Sequence, residues 1–335
     1  MGGNAHPGYT PSRLSNLQCG AVITTLTIRF AELKFFSHFL SPPPAPGKTS
    51  HGDVDFLAVL GPHSPPGGVS PAEYLRAGLS DARNGSYIYH LDGVPVQVDI
   101  AIVSESMLPL ELFMRSFGDA GAIVGAYARK LGYKLSSSKG FQYVYPATLP
   151  RSGKTCVYPI TNYPITNNPK EVCGTYLGLD YERWQHGFET EAELFEWLGP
   201  ACAYFGEQES RGEVKGTRPM YCRFGAWCVE QKQEGDVKLQ VDATTRLKEL
   251  GRHAEMQKLF EAEVEKDEFN HAFKRVFNAA SVVADVEKRH GVTLTGKELG
   301  AFMQRVRQHL PKEMLPSLVD VQAAVETAWI ENMEA

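Results

Sequence analysis

The sequence lacks three features that would at once assign it to a class of protein. It has no apolar run of the roughly 20 residues that a membrane-spanning helix needs. The most apolar segment, 19–40, is interrupted by Arg29, Glu32 and Lys34. The six cysteines form no CxxC pair, and no histidine pair follows them at zinc-site spacing. Segment 19–40 is therefore predicted to be a strand or helix of a globular domain. The thiols are predicted to be reduced and mostly buried, as in an intracellular protein of the nucleus or cytoplasm.

The chain also lacks an excess of positive charge. Its 34 Lys and Arg residues are outnumbered by 39 Asp and Glu residues, so the formal net charge is −5. A protein of this charge has no diffuse attraction for polyanions, and any nucleic-acid surface must be a local patch. We predict such a patch at Arg211, Lys215 and Arg218, with Arg223 in the same basic cluster. Tyr221 and Trp227, interleaved with these residues, are predicted to stack on bases. The alternative is a solvated basic loop that precedes a core segment.

Turn signals and periodicity divide the 335 residues into three predicted domains. Loops rich in proline and glycine at 41–47 and 60–71 bound a short apolar strand, and Asp92-Gly93 predicts a hairpin turn between two further strands. The segment 108–131 has helical periodicity, and beyond residue 242 nearly the whole chain does. The predicted fold class is α+β, with a polar linker at 230–242. The predicted domains are 1–105, 106–232 and 242–335.

Several predicted helices carry capping signals. Asn168 followed by Pro169 is typical of an N-cap with proline in the first turn. The spacing of Thr190 with Glu193, and of Thr295 with Glu298, predicts capping boxes. Gly132 is expected to end the helix of 108–131.

The stretch "SHGDVDFLAV" carries the strongest chemical signal. Asp53 and Asp55 are one residue apart at the start of an apolar strand, so their side chains share a face. Two like charges on one face are unfavourable unless a cation lies between them. A neighbouring strand carries Asp99. Three carboxylates on adjacent strands are what a two-metal phosphoryl-transfer site requires, because hard oxygen ligands hold Mg²⁺, with Mn²⁺ as an alternative ion.

The positions of the aspartates suggest separate roles. Asp53 and Asp55 are predicted to bridge both ions, and Asp99 to contact only the ion beside the attacking hydroxyl and to take its proton. The alternative for the first two is a solvated turn before a buried strand, and for Asp99 the end of an edge strand. His51 is expected to be a surface residue without a role.

These residues resemble the nucleotidyltransferase superfamily typified by DNA polymerase beta, and within it the family X polymerases. "SHGDVDFLAV" and "VPVQVDIAIV" are similar to the strands that carry that family's aspartates. "AYARKLGYKLSSSKG" is similar to its thumb helix, and "PKEVCGTYLGLDYERW" to its acidic helix. The resemblance covers about residues 47–200. It implies a polymerase beta-like palm with a mixed sheet and a small thumb. The C-terminal all-helical region, which periodicity predicts, has no counterpart in that family.

The resemblance implies a Mg²⁺-dependent nucleotidyltransferase that moves a nucleotide from a nucleoside triphosphate to the 3′-hydroxyl of DNA or RNA, with no membrane partner. The family's Gly-Ser pair, which grips the phosphates, is replaced here by "SPPPAPGKTS". The predicted phosphate donors are therefore Lys48, Thr49, Ser50 and the backbone around Gly52. Two alternatives stay open: nucleotidyl transfer to a small molecule or protein, and a catalytically inactive nucleic-acid-binding scaffold of the same fold.

Overall fold

The computed structural model describes residues 10–62, 79–83, 85–145, 149–151, 154–156, 162–206, 218–234, 239–310 and 317–334. Two compact units divide the chain, Met1–Gly251 and Arg252–Ala335. The division falls inside the segment 242–335, which the sequence predicts to be one helical domain. The boundary that we predict inside the first unit, between 105 and 106, stays a prediction.

The first unit begins with a five-stranded mixed sheet, which confirms that part of the predicted fold class. The elements of this part of the unit, in chain order, are β1 (Leu14–Ser15), α1 (Asn16–Leu33), β2 (Phe36–Leu40), β3 (Ser50–His51), β4 (Asp53–Leu60), β5 (Leu79–Arg83), β6 (Ser86–Leu91) and β7 (Val94–Ile102). The strand order is β2-β4-β7-β6-β5. Strands β4 and β7 run parallel, and the other neighbours run antiparallel. The short strands β1 and β3 form a separate antiparallel pair.

Helix α1 covers one face of this sheet. It begins at the N-cap Ser15, whose side chain and that of Gln18 form a capping box. Its apolar side places Leu26 and Phe30 in a core with Phe56 of β4. Segment 19–40, predicted as a strand or helix, thus contains most of α1 and all of β2. Among the described residues, no helix is long and apolar enough to cross a membrane.

The hairpin between β6 and β7 is confirmed. Asp92 and Gly93 both have left-handed backbones, with φ of 50° and 81°. A two-residue hairpin turn needs positive φ at both central residues, which glycine adopts at no steric cost and aspartate tolerates.

The predicted continuous helix over 108–131 is wrong at its middle. The structure has two helices, α2 (Leu108–Arg115) and α3 (Ala120–Leu131), with Gly132 ending the second as predicted. Phe117 and Gly118 interrupt them because both have left-handed backbones, with φ of 60° and 69°. The amide of Phe117 donates to the carbonyl of Pro43 at 2.8 Å, which ties this turn to the proline-rich segment.

The rest of the first unit is a three-stranded antiparallel sheet, a two-stranded hairpin and helices. The predicted N-cap Asn168 is confirmed, because its side chain accepts a backbone hydrogen bond. The capping box predicted at Thr190 is confirmed in its first half: the Thr190 hydroxyl accepts from the amide of Glu193, but the Glu193 carboxylate accepts from the amide of Glu189. The predicted linker 230–242 is wrong in its first part, because 230–234 belong to a helix. The elements are β8 (Tyr133–Ser136), β9 (Gly140–Val144), β10 (Leu149–Arg151), β11 (Lys154–Cys156), β12 (Asn162–Thr166), α4 (Pro169–Glu171), which continues as a π-helical turn (Val172–Leu177), α5 (Tyr181–His186), α6 (Glu191–Trp197), a 3-10 segment (Gly199–Tyr204), α7 (Pro219–Glu234) and α8 (Ala243–Glu249).

The second unit is helical over its described residues. Its helices are α9 (His253–Val276), α10 (Ala279–His290), α11 (Gly296–Gln308) and α12 (Leu318–Glu334). They enclose a core of their own, with Val282, Phe302 and Val325 fully buried or nearly so. Thr295 does precede α11, but its side chain makes no capping hydrogen bond, so the capping box predicted there is wrong.

Candidate functional site

The register of the mixed sheet brings the three aspartates together. In the parallel pair of β4 and β7, the Cα of Asp55 lies opposite that of Asp99, and Asp53 lies opposite Gln97. Paired residues of neighbouring strands project to the same face, so all three carboxylates lie on one face of the sheet. Strand alternation turns Val54 to the other face, into the core with α1.

The same face of β4 becomes apolar as the strand proceeds. Leu57 and Val59 are buried against Leu108 of α2. The apolar cover therefore starts one alternation after Asp55, and the two aspartates occupy the uncovered end of the strand. Burial of the strand on both sides fixes the backbone from which they project.

Burial and mutual repulsion oppose ionisation of this cluster. The pKa of Asp55 is raised to about 6, first by burial and then by the charges of Asp53 and Asp99, while Arg115 opposes the rise. The pKa of Asp53 is also raised, first by burial and then by Asp99. The side chain of Asp55 is nevertheless exposed by its accessible surface, so solvent screening weakens these electrostatic effects. A bound cation would relieve this repulsion.

Two side chains hold the carboxylate of Asp99. The hydroxyl of Ser86 donates to its Oδ1 at 2.5 Å, and the amide Nε2 of Gln97 donates to both oxygens at 3.0 Å. Sequence reasoning missed both residues. Gln97 had a usable signal, because it precedes Asp99 by two positions on a strand. Ser86 had none, because its proximity follows from its pairing with Asp99 across β6 and β7.

The donor set fits magnesium in its chemistry but is not a preformed metal cage. Carboxylate oxygens from neighbouring strands are the ligands that Mg²⁺ prefers. Over the part of the chain that the structure describes, no group of three or more His, Cys, Asp or Glu side chains is arranged to hold a metal ion.

One cavity is walled by two of the aspartates, and a second, larger cavity shares part of its wall with the first. The smaller, of about 170 Å³, is walled by Asp53, Asp55, Arg115 and the proline-rich segment. The larger, of about 870 Å³, is lined by residues from α5 and its following turn, such as Arg183, and by Phe117. Both include 43–45 and Lys48 in their walls. The larger volume is within the range of small-molecule and cofactor sites.

The structure separates the predicted phosphate donors into two pairs. Lys48 lines both cavities and Thr49 lines the larger one. Ser50 instead pairs with β1, and its hydroxyl accepts a hydrogen bond from Arg13 at 2.7 Å. Gly52 is buried and is absent from both cavity walls. Lys48 and Thr49 are thus the predicted donors that a ligand in the cavities would meet, and all four assignments stay predictions.

Two further cavity residues had no clear signal in the sequence. Arg115 is placed by its ion pair with the buried Glu111, at 2.9 Å between Nε and Oε2. Phe117 lies in the turn between α2 and α3, where its ring contacts Trp184 and Phe188. The ion pair of Arg115 is local, because Glu111 precedes it by four residues in α2, whereas the position of Phe117 depends on packing against α5 and its following turn.

His51 is not the surface residue that the sequence suggested. It is 5% exposed, and its Nε2 lies 2.8 Å from Oδ1 of Asn16 at the start of α1. Burial lowers the pKa of its imidazole, and the Lys48 charge lowers it further. His51 therefore joins β3 to α1 as a neutral structural residue.

The predicted basic patch is only partly described. Arg211 and Lys215 lie outside the described residues. Arg218 is half exposed and forms an ion pair with Asp119 at 2.9 Å. Tyr221 is 1% exposed, so it cannot stack on a base. Trp227 packs against aromatic side chains of the same unit. Aromatic stacking from this patch is therefore wrong for Tyr221, and the phosphate contacts stay a prediction.

Comparison with known proteins gives a weak likeness to polymerases. Two solved structures of polymerase beta from Leishmania infantum, a ternary gap complex and a ternary P/T complex, are each 17% identical to this chain, with TM-scores of 0.30 and 0.31. The match covers 40% of this chain and 52% and 59% of those chains, little more than half of their length. No protein-family model and no curated protein matches the chain. The function must therefore be inferred from the site itself.

Proposed function

We propose that this protein is a Mg²⁺-dependent nucleotidyltransferase that transfers a nucleotide from a nucleoside triphosphate to the 3′-hydroxyl of a nucleic acid. The observation that carries this proposal is the alignment of Asp53, Asp55 and Asp99 on one face of two parallel strands, with Asp55 opposite Asp99. The raised pKa values of Asp53 and Asp55 are costly to the fold, and perturbed carboxylates of this kind are typical of functional sites.

The metal ions, when bound, would neutralise the triphosphate and lower the pKa of the attacking hydroxyl. The residues that would hold them are Asp53, Asp55 and Asp99. Asp99 has a further role in the proposal, as the group that takes the hydroxyl proton. Among the described residues, Ser86 and Gln97 both donate to its Oδ1, and Gln97 donates to its Oδ2. Oδ2 is therefore the atom that we assign to take the proton.

Cationic and polar side chains of the cavities would position the triphosphate. Lys48 stands between the two cavities, and Thr49 adds a hydroxyl donor to the wall of the larger one. Arg115, held by Glu111, faces the aspartates from α2. A lysine and an arginine beside three carboxylates supply the positive charge that a bound triphosphate would leave unbalanced.

The test is incubation of the protein with labelled dNTPs and NTPs, Mg²⁺ and a panel of single-stranded, primed, gapped and RNA acceptors. We expect extension of at least one acceptor, and its loss in Asp55→Asn and Asp99→Asn. Asp92→Asn is a matched control, because this hairpin aspartate has a φ of 50° that asparagine also tolerates. Extension that survives in both site variants would remove the aspartates from the proposal.

A catalytically inactive scaffold is the second candidate, and the lack of a preformed metal cluster among the described residues favours it. Thermal shift separates the two. An active site predicts stabilisation that needs both Mg²⁺ or Mn²⁺ and a triphosphate, by mass action on the folded state. A scaffold predicts no such joint effect. Joint stabilisation without extension of any nucleic acid would instead indicate a small-molecule or protein acceptor.

A further inference from the structure

A pair of buried cysteines lies close together in the first unit. Cys202 belongs to the 3-10 segment Gly199–Tyr204, and Cys228 lies in α7. Their Sγ atoms are 2.8 Å apart, although the residues are separated by 26 positions in the chain. The side chains are 2% and 0% exposed, so the contact belongs to the packed interior.

We propose that Cys202 and Cys228 are a redox modification site, which closes to a reversible disulfide when the protein meets a hydroperoxide. A disulfide bond is about 2.05 Å long, so closure needs the sulfur atoms to approach by less than about 1 Å. Both thiols are already present on elements that pack together. No other part of the fold has to move far for the bond to form.

The chemistry proceeds in two steps that balance. The thiolate of Cys202 attacks one oxygen of the O–O bond, which breaks; the other oxygen leaves as water after taking a proton, and Cys202 becomes a sulfenic acid. The sulfur of Cys228 then attacks the Cys202 sulfur, the S–OH bond breaks, and the hydroxide leaves as a second water with the Cys228 proton. Two thiols and one hydrogen peroxide thus give one disulfide and two waters.

The surroundings favour Cys202 as the attacking sulfur. The pKa of the Cys202 thiol is lowered, mainly because the Cys228 thiol hydrogen-bonds to it and also because of the nearby Lys232 charge. The Lys232 ammonium group donates to the backbone carbonyls of Ala203 and Phe205, which holds this charge beside the 3-10 segment. The thiolate is the reactive form of cysteine, so this environment promotes the first step.

Other thiols of the same unit provide a contrast. Burial raises the pKa of Cys173 to about 12, which leaves it un-ionised and unreactive near neutral pH. Cys222 also lies in α7 and is more exposed than Cys228. If exposure decided reactivity, Cys222 would be oxidised first. The short distance between the Sγ atoms of Cys202 and Cys228 instead favours oxidation of the buried pair. The two explanations therefore predict different products.

The experiment is peptide mapping of the full-length protein after treatment with hydrogen peroxide and alkylation of the remaining thiols, without reducing agent. We expect a cross-linked peptide joining Cys202 and Cys228, an intact mass lower by two hydrogens, and full reversal by dithiothreitol. The same cross-link should form in Cys222→Ser and should be absent from Cys202→Ala and Cys228→Ala. The measurement on the unsubstituted protein stands even if a core variant fails to fold.

Three results would overturn the proposal. The first is alkylation of both Cys202 and Cys228 after peroxide treatment that has oxidised Cys222. The second is a cross-link that joins either cysteine to a different partner. The third is oxidation of Cys202 to sulfinic acid, which dithiothreitol does not reverse, with Cys228 left as a thiol.

Discussion

Asp55 lies directly opposite Asp99 across two parallel strands, so two carboxylates that are 44 positions apart in sequence project to one face of the sheet. Burial is the main cause that raises the pKa of Asp55 to about 6, and Asp53 and then Asp99 add repulsion on that face. Such a cluster weakens the fold on its own account. A bound cation would relieve this repulsion.

Replacement of one aspartate should abolish nucleotide transfer. Asp53→Asn and Asp55→Asn each remove a charged metal ligand without creating a cavity, so we expect a loss of about 10²-fold or more in the rate and an intact fold. Nucleotide incorporation and circular dichroism measure the two effects. With Asp92→Asn as the control, undiminished transfer by either site variant would contradict the metal site.

The substitution Asp55→Asn should also stabilise the metal-free protein at neutral pH. The pKa of Asp55 is raised from 3.8 to about 6 in the folded state, so the folded state binds more protons than the unfolded state between these values. The free energy of unfolding therefore falls as pH rises from about 4 to about 6, and above pH 6 it stays below its value at pH 4. Asp55→Asn should remove this loss, which is of the order of 1 kcal/mol after allowance for solvent screening.

Urea denaturation of both proteins in EDTA, from pH 4 to pH 8, measures the effect. The two curves of unfolding free energy should converge near pH 4 and separate through pH 6, with the variant the more stable. Added Mg²⁺ should then stabilise the unsubstituted protein more than the variant. A variant that is less stable than its parent at every pH would show that Asp55 supports the fold instead of straining it.

The sequence predicted those features that depend on neighbouring residues. The Asp92-Gly93 hairpin and the Asn168 and Thr190 caps are confirmed, because each follows from a few adjacent side chains. The shared face of Asp53 and Asp55 likewise follows from strand alternation. Features set by distant packing were missed. His51 was expected at the surface, but it is buried because β3 lies beside the first residue of α1.

The residues of the candidate site divide in the same way, into those that a local pattern predicts and those that depend on distant packing. Its aspartates were found because they belong to strands, whereas Arg115 and Ser86 reach the site only through helix packing and strand pairing. The break between α2 and α3 was missed for a related reason. Apolar periodicity continues through the turn, and only the left-handed backbones of Phe117 and Gly118 end the first helix.

Close packing of α2 against α3 gives a test of the turn beside the cavities. A Cβ built on Gly121 would lie 1.8 Å from the carbonyl oxygen of Met114, so the backbone itself would have to move. We expect Gly121→Ala to lower the unfolding free energy by about 3 kcal/mol or more. Gly125, in the same helix, has no atom within 4 Å of an added Cβ.

Gly125→Ala is therefore the matched control, and it should stabilise the protein by about 0.5–1 kcal/mol because alanine has the higher helix propensity. If α2 and α3 pack as described, chemical denaturation will show changes in unfolding free energy of opposite sign for the two variants. Equal, small effects at both positions would show that Gly121 has room, and that the turn at Phe117 is held more loosely than the structure shows.

The last prediction concerns the basic patch. Neutralising Arg211, Lys215 and Arg218 together, each to Gln, should weaken binding of nucleic acid at low salt, because each phosphate contact releases about one counterion. Arg218 already forms an ion pair with Asp119, so its contribution should be the smallest of the three. We expect the slope of log affinity against log salt to flatten by about 2, and by no more than about 3.

Arg223→Gln serves as the control, because Arg223 forms a bidentate ion pair with Glu191. Its Nε donates to Oε1 at 2.7 Å and its terminal nitrogen donates to Oε2 at 2.6 Å, so its charge is already balanced and a phosphate would gain less from it. Its slope should equal that of the unsubstituted protein.

Because the net charge of −5 supplies no diffuse attraction, a polymer substrate needs a local basic patch, whereas a small-molecule acceptor does not. Binding of single-stranded DNA, gapped DNA and RNA at several salt concentrations decides between them. An unchanged slope in the triple variant would exclude this patch, and no binding by the parent protein would favour the small-molecule acceptor.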